Sequence, residues 1–190
     1  MKSIIKLLFT TSLAIQLLVF AGCGGTKESL SDEAWSRMEH AVTARNFKFR
    51  AQWAEPLQTG GMNQIANAGL IPPGSNVNRI DLTGTANYFN MKGDQVEMQL
   101  PYYGERQVNQ TYGRAEGMVF EGTATEIKTK KNEKNNYYDL DFNLNNNTEL
   151  LQCSLRVFPG MRTILTIYSS QRNMIRYVGE LRLQEQTPQE

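Results

Sequence analysis

From residue 47 onward the chain alternates apolar and polar residues with a period of two, the pattern of strands buried on one face. Phe47, Phe49, Ala51 and Trp53 form the first apolar set, interleaved with Lys48, Arg50 and Gln52. Ile80, Leu82, Gly84, Ala86 and Tyr88 form the second. The turn Lys92-Gly93-Asp94 joins it to the third: Val96, Met98 and Leu100. Met118, Phe120, Gly122 and Ala124 make the fourth, and Tyr138, Leu140, Phe142 and Leu144 the fifth. Leu151, Cys153, Leu155 and Val157, then Thr163, Leu165 and Ile167, then Ile175, Tyr177, Gly179, Leu181 and Leu183 complete the series. The connectors Asn132 to Asn136, Asn145-Asn146-Asn147, Pro159-Gly160 and Ser169 to Asn173 are turn chemistry. Short connections favour antiparallel neighbours, and one-sided alternation favours a sheet wet on one face. The predicted fold class is all-β (mainly β): an antiparallel up-and-down β-barrel of about eight strands, or a strongly coiled sheet, with few exposed edges.

A helical period precedes the strands. Ala34, Trp35, Met38, Ala41 and Val42 fall on one face of a helix from about Ser31 to Arg45. Ser31 is placed to cap it, and Asp32 and Glu33 complement the helix dipole. Residues 54–77 read as a loop, with Gly60-Gly61 and Pro72-Pro73-Gly74. Met62, Ile65, Leu70 and Ile71 make it apolar enough to pack.

The first thirty residues read as an address. Lys2 and Lys6 precede an apolar run from Leu7 to Phe20, and Ala21 and Gly22 precede Cys23. This is the layout of a signal peptide, too short to be a spanning helix. Phe20-Ala21-Gly22-Cys23 resembles the bacterial lipobox, with Phe20 where Leu is usual. That resemblance implies cleavage before Cys23 and lipidation of its thiol, and several acyl chains anchor stably where one does not. Gly24 rather than Asp after the cysteine implies the outer membrane rather than the inner. The expected organisation is a signal peptide over 1–22, a lipidated tether over 23–30, one domain over 31–185 and a polar tail over 186–190.

With 40% hydrophobic and 21% charged residues the chain is globular, and a formal charge of +1 gives no field for nucleic acid. If Cys23 is lipidated, Cys153 has no disulfide partner, so the core must hold the fold. Flanked by Leu151 and Leu155, Cys153 reads as a small buried apolar residue.

Candidate chemistry is sparse. The apolar face includes Gly84, Gly122 and Gly179, with Ala86 and Ala124. Such residues permit sharp coiling and bulges, or leave interior room for a ligand. Tyr102, Tyr103 and Tyr112 follow the strand-ending Pro101 and read as a packed plug or an aromatic rim at a barrel mouth. His40 is the single histidine, on the helix beside Glu39, with nothing to place a nucleophile next to it. Asp139 and Asp141 share a strand face, without a calcium-loop pattern around them. Lys128, Lys130, Lys131 and Lys134 mark a solvated hairpin tip, or a contact for anionic headgroups. There is no Gly-Lys-Ser/Thr phosphate loop and no dinucleotide fingerprint. No catalytic residues, metal site or cofactor are expected.

Leu100-Pro101-Tyr102-Tyr103-Gly104, the Phe47-Lys48-Phe49 strand, the Asp94-to-Leu100 strand and Phe120-x-Gly122 together resemble a family of small Bacteroides-type lipoproteins classified as domain of unknown function 4251. The resemblance covers about residues 30–185. It implies a lipocalin-like barrel and no established activity. The expectation is therefore a non-enzymatic, membrane-tethered domain that binds a small apolar or amphipathic ligand. The alternative is an envelope-assembly accessory with a filled barrel and a protein partner that the sequence does not name.

Overall fold

The structure, a computed structural model, describes residues 31–107, 117–146 and 148–184. The signal segment, Cys23, the tether, Tyr112 and the tail beyond 184 lie outside them.

Helix α1 (Asp32–Ala44) begins as its sequence predicts: the Ser31 hydroxyl accepts from the Ala34 N–H at 3.3 Å. It ends at Arg45 in the left-handed conformation, whose guanidinium reaches Asp94 at 3.0 Å. Met38, Ala41 and Val42 are buried, and Trp35 meets the Tyr138 ring edge-on at 5.6 Å. The apolar stripe thus fastens α1 across one end of the sheet.

The strands are β1 (Asn46–Pro56), β2 (Ile80–Asp81), β3 (Tyr88–Lys92), β4 (Gln95–Leu100), β5 (Met118–Thr123), β6 (Thr125–Asn132), β7 (Tyr137–Asn145), β8 (Leu150–Val157), β9 (Arg162–Ser169) and β10 (Ile175–Leu183). Their order is β5-β4-β3-β1-β10-β9-β8-β7-β6, all antiparallel, with the two-residue β2 beside β1. The ends of this order, β5 and β6, are separated in the chain by Ala124 alone, whose N–H donates to Asp94 O at 2.7 Å. One bent run of chain therefore pairs with β4 and then with β7. The result is a nearly closed antiparallel barrel of nine strands with an N-terminal helix, as the mainly β expectation required. Counting β5 and β6 as one bent strand recovers the eight of an up-and-down barrel.

The interior is one continuous apolar cluster. It includes Phe47, Phe49, Phe89, Met91, Met98, Leu100, Phe142, Leu155, Ile167 and Tyr177. The face predicted for Cys153 is borne out: it lies 3% exposed among these side chains.

Four local expectations are corrected. The run from Ile80 to Tyr88 is not one strand. Gly84 takes φ +85° in a turn, and Gly84 and Ala86 are exposed. The alternation restarts in the opposite phase, with Phe89 and Met91 inside and Tyr88 outside. The Lys128–Lys131 stretch is strand β6 rather than a loop tip. It was unreadable because both its faces are largely exposed, with Ile127 alone packing on the core. The 54–77 segment contains helix α2 (Gly60–Asn67), capped by Thr59, whose hydroxyl accepts from Met62 N–H at 3.2 Å. Met62 is buried and Ile71 packs on the core, whereas Ile65 and Leu70 are exposed, so the segment packs through two of its four predicted apolar residues. Last, a bulge between Ala51 and Trp53 in the pairing of β1 with β10 puts Gln52 and Trp53 on the same outer side. Trp53 therefore does not join Phe47, Phe49 and Ala51 in the core.

Candidate functional site

The bulge builds the site. Beyond Phe49, strand β1 loses β3 as its neighbour, and it gains β2 only at Trp53. The gap is bridged by a side chain. The Asn87 amide accepts from Ala51 N–H at 2.8 Å and donates to Ala51 O at 3.0 Å, standing in for a strand's peptide group. Leu82 N–H donates to Gln52 O at 2.9 Å, which satisfies the bulged residue. The 82–87 segment is thereby held away from β1, and the space between them is a groove of about 650 Å³ on the outer surface of the barrel.

Its floor is the outward phase of three strands: Lys48, Arg50 and Gln52 of β1, Tyr88 and Asn90 of β3, and Glu180 and Arg182 of β10. Its wall is Leu82, Thr83 and Gly84, and Trp53 closes one end. The Arg79 guanidinium stacks on the Trp53 ring at 4.1 Å. Tyr88 donates to Glu97 at 2.9 Å, and this bond holds its phenol above the usual range. A smaller groove adjoins this one, sharing Lys48 and Asn90 and reaching Lys92, Glu121 and Gly122. A volume of several hundred cubic ångströms is the usual size of a small-molecule site.

The residues predicted for an interior site are elsewhere or filled. Gly84 lines the outer groove and Gly122 the adjoining one. Gly179 is inside, but it faces the backbone of Arg50 and Ala51 and leaves no room there. Its smallness serves the bulge, the coiling reading of the small residues. Tyr102 and Tyr103 sit at the end of the barrel opposite α1. The Tyr102 hydroxyl donates toward Glu105 O at 3.0 Å and Asn173 O at 3.1 Å, with Arg172 over its ring. Burial raises the pKa of both phenols. Tyr177, fully buried below them, donates to Pro101 O at 2.7 Å. This is the packed plug, satisfied at Tyr102, rather than an open rim.

The other candidates are scattered. His40 is exposed on α1. Asp139 pairs with Arg156 through bonds of 2.7 and 3.1 Å, and Asp141 holds Ser154 at 2.7 Å and Lys130 at 3.3 Å. Lys131 pairs with Glu133 and lies over the Trp35 ring. Among the described residues no group of three or more His, Cys, Asp or Glu could hold a metal. Sequence reading missed Trp53, Asn87, Lys48, Arg50 and Arg182 as one site. Their outward phase was legible, but the bulge that gathers them was not.

The buried acids give a pH dependence. Burial pushes the Cys153 thiol far above its ordinary 9.0, and raises Tyr177 well above 10.0. Groups whose pKa is higher folded than unfolded stabilise fully below the unfolded value and lose that contribution as pH rises. Urea midpoints should therefore hold level to about pH 9 and then fall, first through Cys153 and then through the tyrosines. A midpoint unchanged to about pH 11 would contradict this burial. The same burial predicts that native Cys153 resists a thiol reagent and reacts only in denaturant. Prompt native labelling would show that β8 opens.

Comparison with known proteins bears on this geometry. The family model described as a domain of unknown function (DUF4251) matches residues 30–181. A crystal structure of a DUF4251 family protein from Bacteroides eggerthii is similar over 80% of this chain and 88% of its own. Its TM-score is 0.53 at 17% identity, a likeness of fold alone. No match was found among curated proteins.

Proposed function

Because the chain belongs to the DUF4251 family, whose fold is now described and whose description names no activity, we propose that it is a lipid-anchored envelope protein whose barrel binds a small amphipathic molecule without transforming it. The observation that carries the binding role is the outer groove, with a bulge-exposed tryptophan at one end and cationic strand residues on its floor. Bulges commonly re-aim a side chain beside a functional site. Trp53 offers an apolar surface at little entropic cost.

The anchoring role rests on Lys2, Lys6, the Leu7–Phe20 run and Phe20-Ala21-Gly22-Cys23. With Gly24 following, the outer membrane is the proposed address. A binding role is favoured over a chemical one because His40 and the paired Asp139 and Asp141 stand apart from the groove. The second reading, an envelope-assembly accessory, draws on the filled apolar interior. It predicts a protein partner and no small ligand.

Native mass spectrometry of the Cys23→Ser chain, purified from the envelope of its own host, separates the two. An added mass that organic solvent removes, and that Trp53→Ala loses, supports the groove. A bare polypeptide mass under several growth conditions, together with a co-purifying protein, sinks the ligand reading. Lipidation is tested separately: metabolic labelling with a clickable fatty acid should mark the wild-type chain and leave Cys23→Ser unmarked.

A further inference from the structure

The floor of the groove holds more positive charge than the fold itself uses. Pairing of β1 with β10 sets Lys48 directly opposite Arg182 on the outer face, and Arg50 follows two residues along the same face. Like charges facing each other across strands are unfavourable. The acid on the same strand pair is Glu180, opposite Arg50, and Glu97 and Glu121 line the adjoining groove that Lys48 shares. Glu180 reaches Arg182 only at 3.9 Å, with side chains 55% and 84% exposed, a pairing of little strength. Lys48 and Arg50 have no ion-pair partner among the described residues.

Several cations elsewhere on the outer surface have acid partners. Arg156 holds Asp139, Lys130 holds Asp141, Arg176 reaches Glu55 and Arg45 reaches Asp94. In the groove, by contrast, two cations stand directly across a strand pair from each other.

From this we infer that the ligand is an amphipathic anion: one carboxylate, phosphate or sulfonate group sits over Lys48, Arg50 and Arg182, and its apolar body lies against Trp53 at the end of the groove. Guanidinium forks suit the planar or tetrahedral oxygens of such a head group. The inference rests on the binding role proposed above and specifies its chemistry.

The test uses the Cys23→Ser chain and two fluorescent probes of the same shape. These are 8-anilinonaphthalene-1-sulfonate and the uncharged N-phenyl-1-naphthylamine. The sulfonate is expected to bind at least about tenfold more tightly, and to weaken several-fold in about 0.5 M NaCl. The double change Lys48→Met with Arg50→Met should bring the ratio of the two probes' affinities to about one, whatever it does to each singly, in a chain whose circular dichroism shows it folded. Trp53→Ala should weaken both probes. If both probes bind equally and depend on Trp53 but not on Lys48 and Arg50, the anion is overturned and the groove survives. If neither probe responds to Trp53→Ala, the groove itself fails as a binding site. Competition of dodecyl phosphate against laurate then separates phosphate from carboxylate preference, and failure of both to compete also overturns the inference.

Discussion

Glu149→Ala is expected to lower the stability of the domain by about 3–5 kcal/mol, the cost of stranding one member of a buried ion pair. Glu149 and Arg172 are 7% and 11% exposed, and they meet through Oε1 to Nε at 2.9 Å and Oε2 to Nη2 at 3.0 Å. The third guanidinium nitrogen donates to Gly117 O at 3.2 Å, Ser169 Oγ donates to the carboxylate, and the Tyr102 ring lies under the cation. Four separate stretches of chain are joined by this one guanidinium: the turn after β7, the turn after β9, the start of β5 and the Tyr102 plug. Without the carboxylate, the charge keeps a single carbonyl partner in a place water reaches poorly. In a domain of this size the loss corresponds to a fall in melting temperature of roughly 6–20 °C. Glu149→Leu combined with Arg172→Met should recover much of it, because apolar residues of similar volume carry no desolvation cost. Urea denaturation of the two singles and the double closes the cycle. A Glu149→Ala loss below about 1 kcal/mol would mean that the pair is solvated and clamps nothing.

Gly179→Ala is expected to be as damaging, by a steric route. A Cβ at this position lands on Arg50 O, and within 2.8 Å of the Ala51 Cα and 2.9 Å of the Arg50 carbonyl carbon. These are backbone atoms of a central strand, so no rotamer change relieves the contact. Overpacking a core ordinarily costs about 1–3 kcal/mol and occasionally more, and a clash with backbone belongs at the upper end. The strand would have to separate at its bulge, so the damage should reach the groove as well. Trp53 emission should shift, and the amides of Arg50 and Gln52 should lose hydrogen-exchange protection. The contrasting variant is Gly84→Ala. There the added Cβ meets nothing within 4 Å, and the cost is that of a positive φ in an exposed turn. Equal stabilities for the two variants would refute the close approach at Gly179.

What could be read from the sequence follows from what alternation measures. It reports a regular strand with one dry face, so β4, β7, β8 and β9 are readable residue by residue, whereas in β10, opposite the bulge, Val178 turns inward and the terminal Leu183 is exposed. It cannot report β6, where Thr125, Lys128, Lys130 and Lys131 are wet on both sides of an edge. Nor can it report a bulge, because one unpaired residue reverses the phase with no local sign beyond an ordinary Gln52. Alternation accordingly puts Trp53 in the core and points to the barrel interior for a site. Gly84 misleads for a related reason: a turn residue keeps the phase of Ile80 and Leu82. The paired Asp139 and Asp141 and the exposed His40 fell where the sequence placed them, because a strand's outer phase and a helix's polar face are set by local periodicity. Glu149 with Arg172 lies at the other extreme, a contact between two turns that no periodicity links.

The closure of β1 on β10 has a consequence for how the chain is made. The Asn46 side chain bonds Gln184 O across 138 positions of sequence, so the neighbours that seal the barrel are the first and last strands to emerge. Closing so long a loop defers its reward until the end, and folds of this kind form slowly. Until β10 arrives, β1 offers an open edge of alternating Phe47, Phe49 and Ala51 to any passing strand. A chain cut before residue 175 would lack the strand that covers that edge. Such truncations should accumulate in aggregates or with holding chaperones, whereas additions beyond residue 184 should be tolerated.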